Sequence, residues 1–198
     1  MKKRKLEMLL EQVKGFESPD VRREQYATPA VVAAELLYFA YMNGDLAGSV
    51  ADLGCGTGVL AIGAGLLETK KIIGIDSDIR ALKVASQNAK QLGVDIEWVC
   101  CDVREFCGNF DTVVMNPPFG AQEKGNDRPF LDKALEIGKA IYSIHNAGSA
   151  DFVRGFIGDR GEITDIVTMK FPIRHTFKFH KKEIALIDVE LYRILSKR

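Results

Sequence analysis

The chain is expected to fold as one α/β domain. The predicted architecture is a seven-stranded, mostly parallel sheet with an antiparallel hairpin at one edge and helices on both faces. Three observations predict it. Short, continuously apolar runs such as "SVADL", "KIIGID" and "FDTVVM" alternate with segments of helical spacing, the rhythm of strands buried on both faces. A glycine-rich segment, "GCGTG", joins the first of these runs directly to a helix of small residues. Finally, the last two strand-like segments alternate apolar and polar residues over part of their length, as strands with unequal faces do.

Taken in order, Leu6, Leu9, Leu10 and Val13 mark the stripe of an amphipathic first helix. A polar, irregular stretch (15–30) follows, and Thr28-Pro29 reads as cap and first turn of a second helix over 31–43, closed by Asn43-Gly44. Strands are expected at 49–53, 71–76, 95–102 and 110–115, with helices at 59–68 and 78–93 between the first three. A helix at 129–139, a fifth strand at 140–145 and a helix at 149–159 precede the final pair, 162–171 and 183–195. The 198 residues suit a single domain with a sizeable core, divided into a helical extension (1–23) and the domain core (24–198).

The composition is that of a soluble globular protein, 46% hydrophobic and 27% charged. Basic and acidic residues number 27 each, so no global field announces nucleic acid, although a local basic face is compatible with neutrality. The basic start, "MKKRKLEMLLEQ", has its apolar part broken by Glu7 and Glu11 and no small-residue cleavage site behind it. No apolar run approaches the roughly 20 residues that span a bilayer. A cytoplasmic location without membrane contact is expected. Cys55, Cys100, Cys101 and Cys107 form no C-x-x-C pair and have no histidine at zinc spacing, so they read as structural thiols, and no metal is expected.

Gly54, Gly56 and Gly58 lie between strand and helix, where backbone can approach a ligand closely and a helix start offers unpaired N–H groups. The dinucleotide fingerprint needs glycine or alanine where Val59 stands, and the phosphate loop's G-K-S/T is absent. Nothing basic stands in the loop and Asp52 precedes it, which suits a ligand carrying positive charge. Asp76 ends the second strand, 18 residues after Gly58, where a carboxylate can accept both hydroxyls of a ribose. Asp102 and Val103 end the third, placed to accept from an adenine amino group and to donate from the backbone to a ring nitrogen. The fourth strand stops at Asn116-Pro117-Pro118-Phe119, and two prolines there mean either a stiff turn or something held.

"DLGCGTG", Asp76, "CDV" at 101–103 and "NPPF" at 116–119 together resemble the Rossmann-like (class I) S-adenosyl-L-methionine-dependent methyltransferases. "EQYATP" (24–29), "YSIHN" (142–146) and "FKFHKKE" (177–183) narrow the resemblance to the archaeal and eukaryotic family that makes N6-methyladenosine in small-subunit ribosomal RNA. The resemblance implies cofactor contacts from Gln25, Tyr26 and Thr28, from Gly54, Thr57 and Val59, and from Asp76, Asp102 and Val103. For eukaryotic relatives it also implies a small zinc-containing activator subunit that pairs with a sheet edge.

In such a site the Asn116 side-chain oxygen and the Pro117 carbonyl would accept from an exocyclic amine, Pro118 would help fix their direction, and Phe119 would stack the base. The motif names a planar amino nitrogen and not a polymer. Adenine N6, guanine N2 and the glutamine amide of a release factor all fit it, and a cofactor-binding module without catalysis is the contrasting class. Phe177, Lys178, Phe179, His180, Lys181 and Lys182 interleave rings and cations as RNA contacts do, and equally suit a charged hairpin tip. His145 and His175 read as structural histidines.

Overall fold

A computed structural model describes residues 1–17, 19–20, 24–118, 125–174 and 184–197. Its helices are α1 (Lys3–Leu10), α2 (Ala30–Met42), α3 (Val59–Leu66), α4 (Ile79–Leu92), α5 (Arg128–Ile137) and α6 (Ala150–Ile157). The strands are β1 (Ser49–Leu53), β2 (Lys71–Asp76), β3 (Glu97–Cys100), β4 (Phe110–Met115), β5 (Gly138–Asn146), β6 (Gly161–Arg174) and β7 (Ile184–Ser196). They form one sheet in the order β3-β2-β1-β4-β5-β7-β6. The first five are parallel, and β7 and β6 complete the sheet antiparallel, so the expected architecture is observed.

Alternate residues of the central strands feed two apolar cores, as the period of two in a strand requires. Val50, Val114, Tyr142 and Leu191 join the core under α1, α2 and α3, whereas Ala51, Val113, Ile141 and Tyr192 join the one under α5 and α6. Leu6 and Leu10 of α1 are buried in the first core, with Val13 packed against it. Chain order reverses between β1 and β4, and ligands of open α/β sheets bind outside the carboxyl ends at such a point.

Several local expectations differ from the structure: Gly138 and Lys139, expected to end a helix, begin β5, and β3 begins at Glu97 and not at residue 95. Thr28 is not the cap of α2: Pro29 holds that position with extended dihedrals, and no side chain caps the helix. The third strand ends at Cys100 and not at Asp102, because Asp102 accepts the Arg104 N–H at 2.9 Å and turns the chain into a 3-10 turn over Val103–Glu105. Asp78 caps the next helix by accepting the Arg80 N–H, and α4 closes on Gly93 at φ +68°, the end expected of it. Outside the cleft, His145 is buried with Nε2 2.7 Å from Ser143 Oγ and its ring edge-on to Tyr192, and burial pulls its pKa down to about 4.

Candidate active site

The glycine loop is an extension of the sheet that then leaves it. The N–H groups of Gly54 and Cys55 both donate to the Ile75 carbonyl, at 2.8 and 2.9 Å. The chain next passes through left-handed dihedrals at Gly54 (φ +69°) and Gly56 (φ +52°), conformations that a Cβ would strain. Space forbids a Cβ as well: at Gly54 it would lie 2.8 Å from the Phe130 ring, and at Gly56 2.8 Å from the Phe16 ring. Two aromatic rings therefore close on a bare backbone.

Three carboxylates surround that loop, and each is held differently. Asp52 on β1 is 1% exposed. Its Oδ2 accepts the Ala61 N–H at 2.9 Å, while its Oδ1 is buried without a hydrogen-bond partner. Burial pushes this carboxyl up to about 7, opposed by the Ala61 N–H and assisted by the charge of Asp76. Asp76 accepts the Gly56 N–H on Oδ2 and the Asp78 N–H on Oδ1, both at 2.8 Å, so the carboxylate fixes the loop's shape from the end of β2. Asp102 is held down to about 2 by Arg104, which reaches both of its oxygens at 2.9 and 2.6 Å.

At the end of β4, Asn116 donates from Nδ2 to Thr28 Oγ1 at 2.9 Å. Its Oδ1 is buried and has no hydrogen-bond partner. A buried acceptor left unmatched is costly and uncommon, so this oxygen is a candidate ligand contact. Thr28 thereby acts as an orienter of the asparagine amide, 88 residues away in sequence. Gln25, next to it, is fixed by its Nε2 donating to Asp78 Oδ2 at 3.0 Å and its Oε1 accepting the Asp20 N–H at 2.9 Å.

These groups meet in one cleft of about 430 Å³, a volume suited to a nucleoside-sized ligand. Gln25, Tyr26, Thr28, Asp52, Gly54, Gly56, Thr57, Val59, Asp76, Asp102, Val103, Asn116 and Pro118 all line it. Pro117 is buried behind them and does not. Phe119 and the residues from Phe177 to Lys182 lie outside the described residues. Among the other lining residues, Phe16, Asn126 and Phe130 carry no local sequence signal beyond their composition. Among the described residues no group of histidines, cysteines and acids could hold a metal ion, and no helix is long and apolar enough to cross a membrane.

The chemistry of the donor set fits a nucleoside bearing a cationic group. Bare glycine backbone admits it closely, Asp76 matches a diol, and the unmatched Asp52 oxygen favours positive charge. Asp76→Asn is expected to weaken adenosyl-ligand binding about tenfold, since one N–H now facing an oxygen would face an amide NH2. Isothermal titration with S-adenosyl-L-homocysteine checks it, and wild-type affinity would contradict the ribose assignment.

Comparison with known proteins bears on the same site. The family model of the methyltransferase small domain matches residues 30–138. The zebrafish (Danio rerio) rRNA N(6)-adenosine-methyltransferase METTL5 is 36% identical, over 98% of this chain and 98% of its own. The Drosophila melanogaster protein of the same description is 34% identical, over 98% and 96%. Among solved structures, a candidate RNA methyltransferase from Pyrococcus horikoshii superposes with a TM-score of 0.92 at 42% identity, covering 99% of this chain and 98% of that one.

Proposed function

The chain belongs to the methyltransferase small-domain family, and from that premise we propose that it transfers a methyl group from S-adenosyl-L-methionine to the exocyclic N6 of an adenosine in ribosomal RNA. The observation that carries this reading is the Asn116 amide. Its oxygen is buried and unmatched, its nitrogen is held by Thr28, and it shares one cleft with the glycine loop. The full-length relatives described as rRNA N(6)-adenosine methyltransferases support adenine over the other amines that the motif accommodates.

The cofactor supplies an electrophilic methyl on a sulfonium. The residues suited to hold it are Asp76 for the ribose, Asp52 for positive charge, Val103 for the adenine ring, and the backbone from Gly54 to Val59, with Gln25 and Tyr26 covering it. An aromatic amine is a poor nucleophile because its lone pair is delocalised into the ring. By accepting one of its N–H groups, Asn116 Oδ1 draws the nitrogen towards tetrahedral geometry and restores that pair. The Pro117 carbonyl would accept the second N–H and Phe119 would stack the base, both as proposals from the motif. An amide has no useful basicity, so Asn116 orients and does not take the proton. The remaining gain is proximity within a preorganised cleft.

RNA is the partner in this reading, and a small zinc-containing activator pairing with a sheet edge is part of it, as is a cytoplasmic location. The sheet's two edges are the four-residue β3 and the fourteen-residue β6. The test is methylation of total RNA from a strain lacking the gene, followed by nucleoside mass spectrometry. N6-methyladenosine is expected. N2-methylguanosine would replace adenine by guanine, label only in protein would favour a glutamine substrate, and intact cofactor binding without any transfer would leave a non-catalytic module.

A further inference from the structure

Beyond one wall of the cleft a second groove, of about 560 Å³, runs along α5. Arg104 and Pro129 line both, so the groove and the cleft are neighbours that share a wall. Its lining also includes Arg128, Lys133 and Arg160 against Asp132 and Glu136, an excess of two positive charges counting Arg104. In a chain of zero net charge this is a local concentration and not a general field.

The cations are arranged in a particular way. Arg128 lies over the Phe152 ring at 5.8 Å and Arg160 over the Phe156 ring at 5.3 Å. A guanidinium stacked on a ring presents its N–H edges outward, and planar N–H forks match phosphate oxygens; Arg160 also donates from Nη2 to the Phe156 carbonyl at 3.0 Å, which fixes its plane. Arg160 pairs with Asp132, Lys133 with Glu136 and Arg104 with Asp102. Arg160 and Asp132 are 49% and 61% exposed, and an ion pair so open to water contributes little, so a phosphate can replace it; Lys133 is buried, and Arg104, 72% exposed, is anchored on Asp102. Phe152 is itself 37% exposed.

We propose that this groove is the phosphate track for the RNA strand continuing from the methylated adenosine, with Arg104, Arg128 and Arg160 meeting its phosphates. The inference rests on the RNA reading above and adds where the polymer lies outside the target base. Charge complementarity and the shared wall with the cleft select a nucleic-acid strand as the occupant. Alternating cations and rings are what single strands bind.

The test uses the full chain and a fluorescent single-stranded RNA oligonucleotide, with anisotropy measured over a series of salt concentrations. The double variant Arg128→Ala/Arg160→Ala is expected to bind at least tenfold more weakly at low salt. Its slope of log affinity against log salt should flatten by about 1.4, roughly 0.7 for each lost phosphate contact. Arg128→Lys/Arg160→Lys should retain the slope, which a folding defect would not. Asp132→Asn releases Arg160 and should tighten binding severalfold, the opposite sign to loss of a structural ion pair. Equal affinity and slope in wild type and the double alanine variant would overturn the track, as would a wild type that binds an acidic peptide as well as RNA. Methyl transfer run in parallel separates the two readings. An unchanged KM for RNA in the double alanine variant discards the groove and leaves the activity standing, whereas a wild type that methylates no RNA removes the activity itself.

Discussion

Replacing Asn116 by alanine is expected to lower methyl transfer about a thousandfold, while affinity for the adenosyl cofactor stays within about threefold of wild type. The asymmetry follows from where the side chain's two ends go. Nδ2 is committed to Thr28, and Oδ1 has no protein partner in a buried position. An acceptor left in that state contributes nothing to the protein alone; its full effect appears when an amine N–H meets it in the transition state. Removing a single preorganised hydrogen-bonding group from such a site costs about 10²–10³ in rate, and here the group also sets the geometry of the attacking nitrogen. The fold should tolerate the change, because the variant loses one hydrogen bond and leaves a Thr28 hydroxyl that can rotate, a cost of about 1 kcal/mol. Single-turnover transfer to RNA, with homocysteine-product titration as the binding control, checks both halves. Unchanged turnover would take the asparagine out of the mechanism.

Asp52→Asn should act in two opposite directions. In wild type the buried carboxyl has its pKa raised to about 7, chiefly by burial, against 3.8 for an aspartate open to water. The folded state therefore holds this proton more tightly than the unfolded chain. Its contribution to stability is complete below about pH 3.8 and is lost as pH rises through about 7, on the order of a few kcal/mol over that window. An asparagine carries no charge to desolvate, and its oxygen can still accept the Ala61 N–H. The ligand-free variant should thus melt about 5–10 °C above wild type at pH 8, and show little difference near pH 4. Affinity for the cationic cofactor should move the other way. In wild type it rises with pH as Asp52 ionises through about 7; in the variant it should be about a hundredfold weaker and flat across the same range. Thermal melting at pH 4 and pH 8 and titration calorimetry at pH 6 and pH 8 measure both. A variant with wild-type affinity and an unshifted melting curve would show that Asp52 is a purely structural acid.

Much of this site is legible in the sequence, and the reason is local. β1, β2 and β4 are continuous apolar runs because both faces of a central parallel strand are buried, and such runs identify themselves. Gly54 and Gly56 stand where φ is positive, a demand that one residue type meets at no cost. The Asn-Pro-Pro turn declares the end of β4, since prolines cannot continue the ladder. Asp76 and Asn116 follow from those addresses. The roles that are not legible all depend on side chains meeting across long separations. Thr28 has the local signature of a helix cap, yet its hydroxyl serves Asn116 because the parallel order β1-β4 carries the end of β4 back to the start of α2. Phe16 and Phe130 close on the glycine loop from distant parts of the chain, and nothing in their neighbours announces it. Arg104 converts Asp102 from a strand end into a turn, so β3 stops two residues before the expected end.

Elements, their order and the chemistry of the motifs are consequences of hydrophobic period, backbone strain and residue type, which act within a few neighbours. Whether a given oxygen is already satisfied or waits for a ligand depends on burial and on partners brought together by the whole sheet. The unmatched oxygens of Asp52 and Asn116 exist as such only once the chain has closed around them.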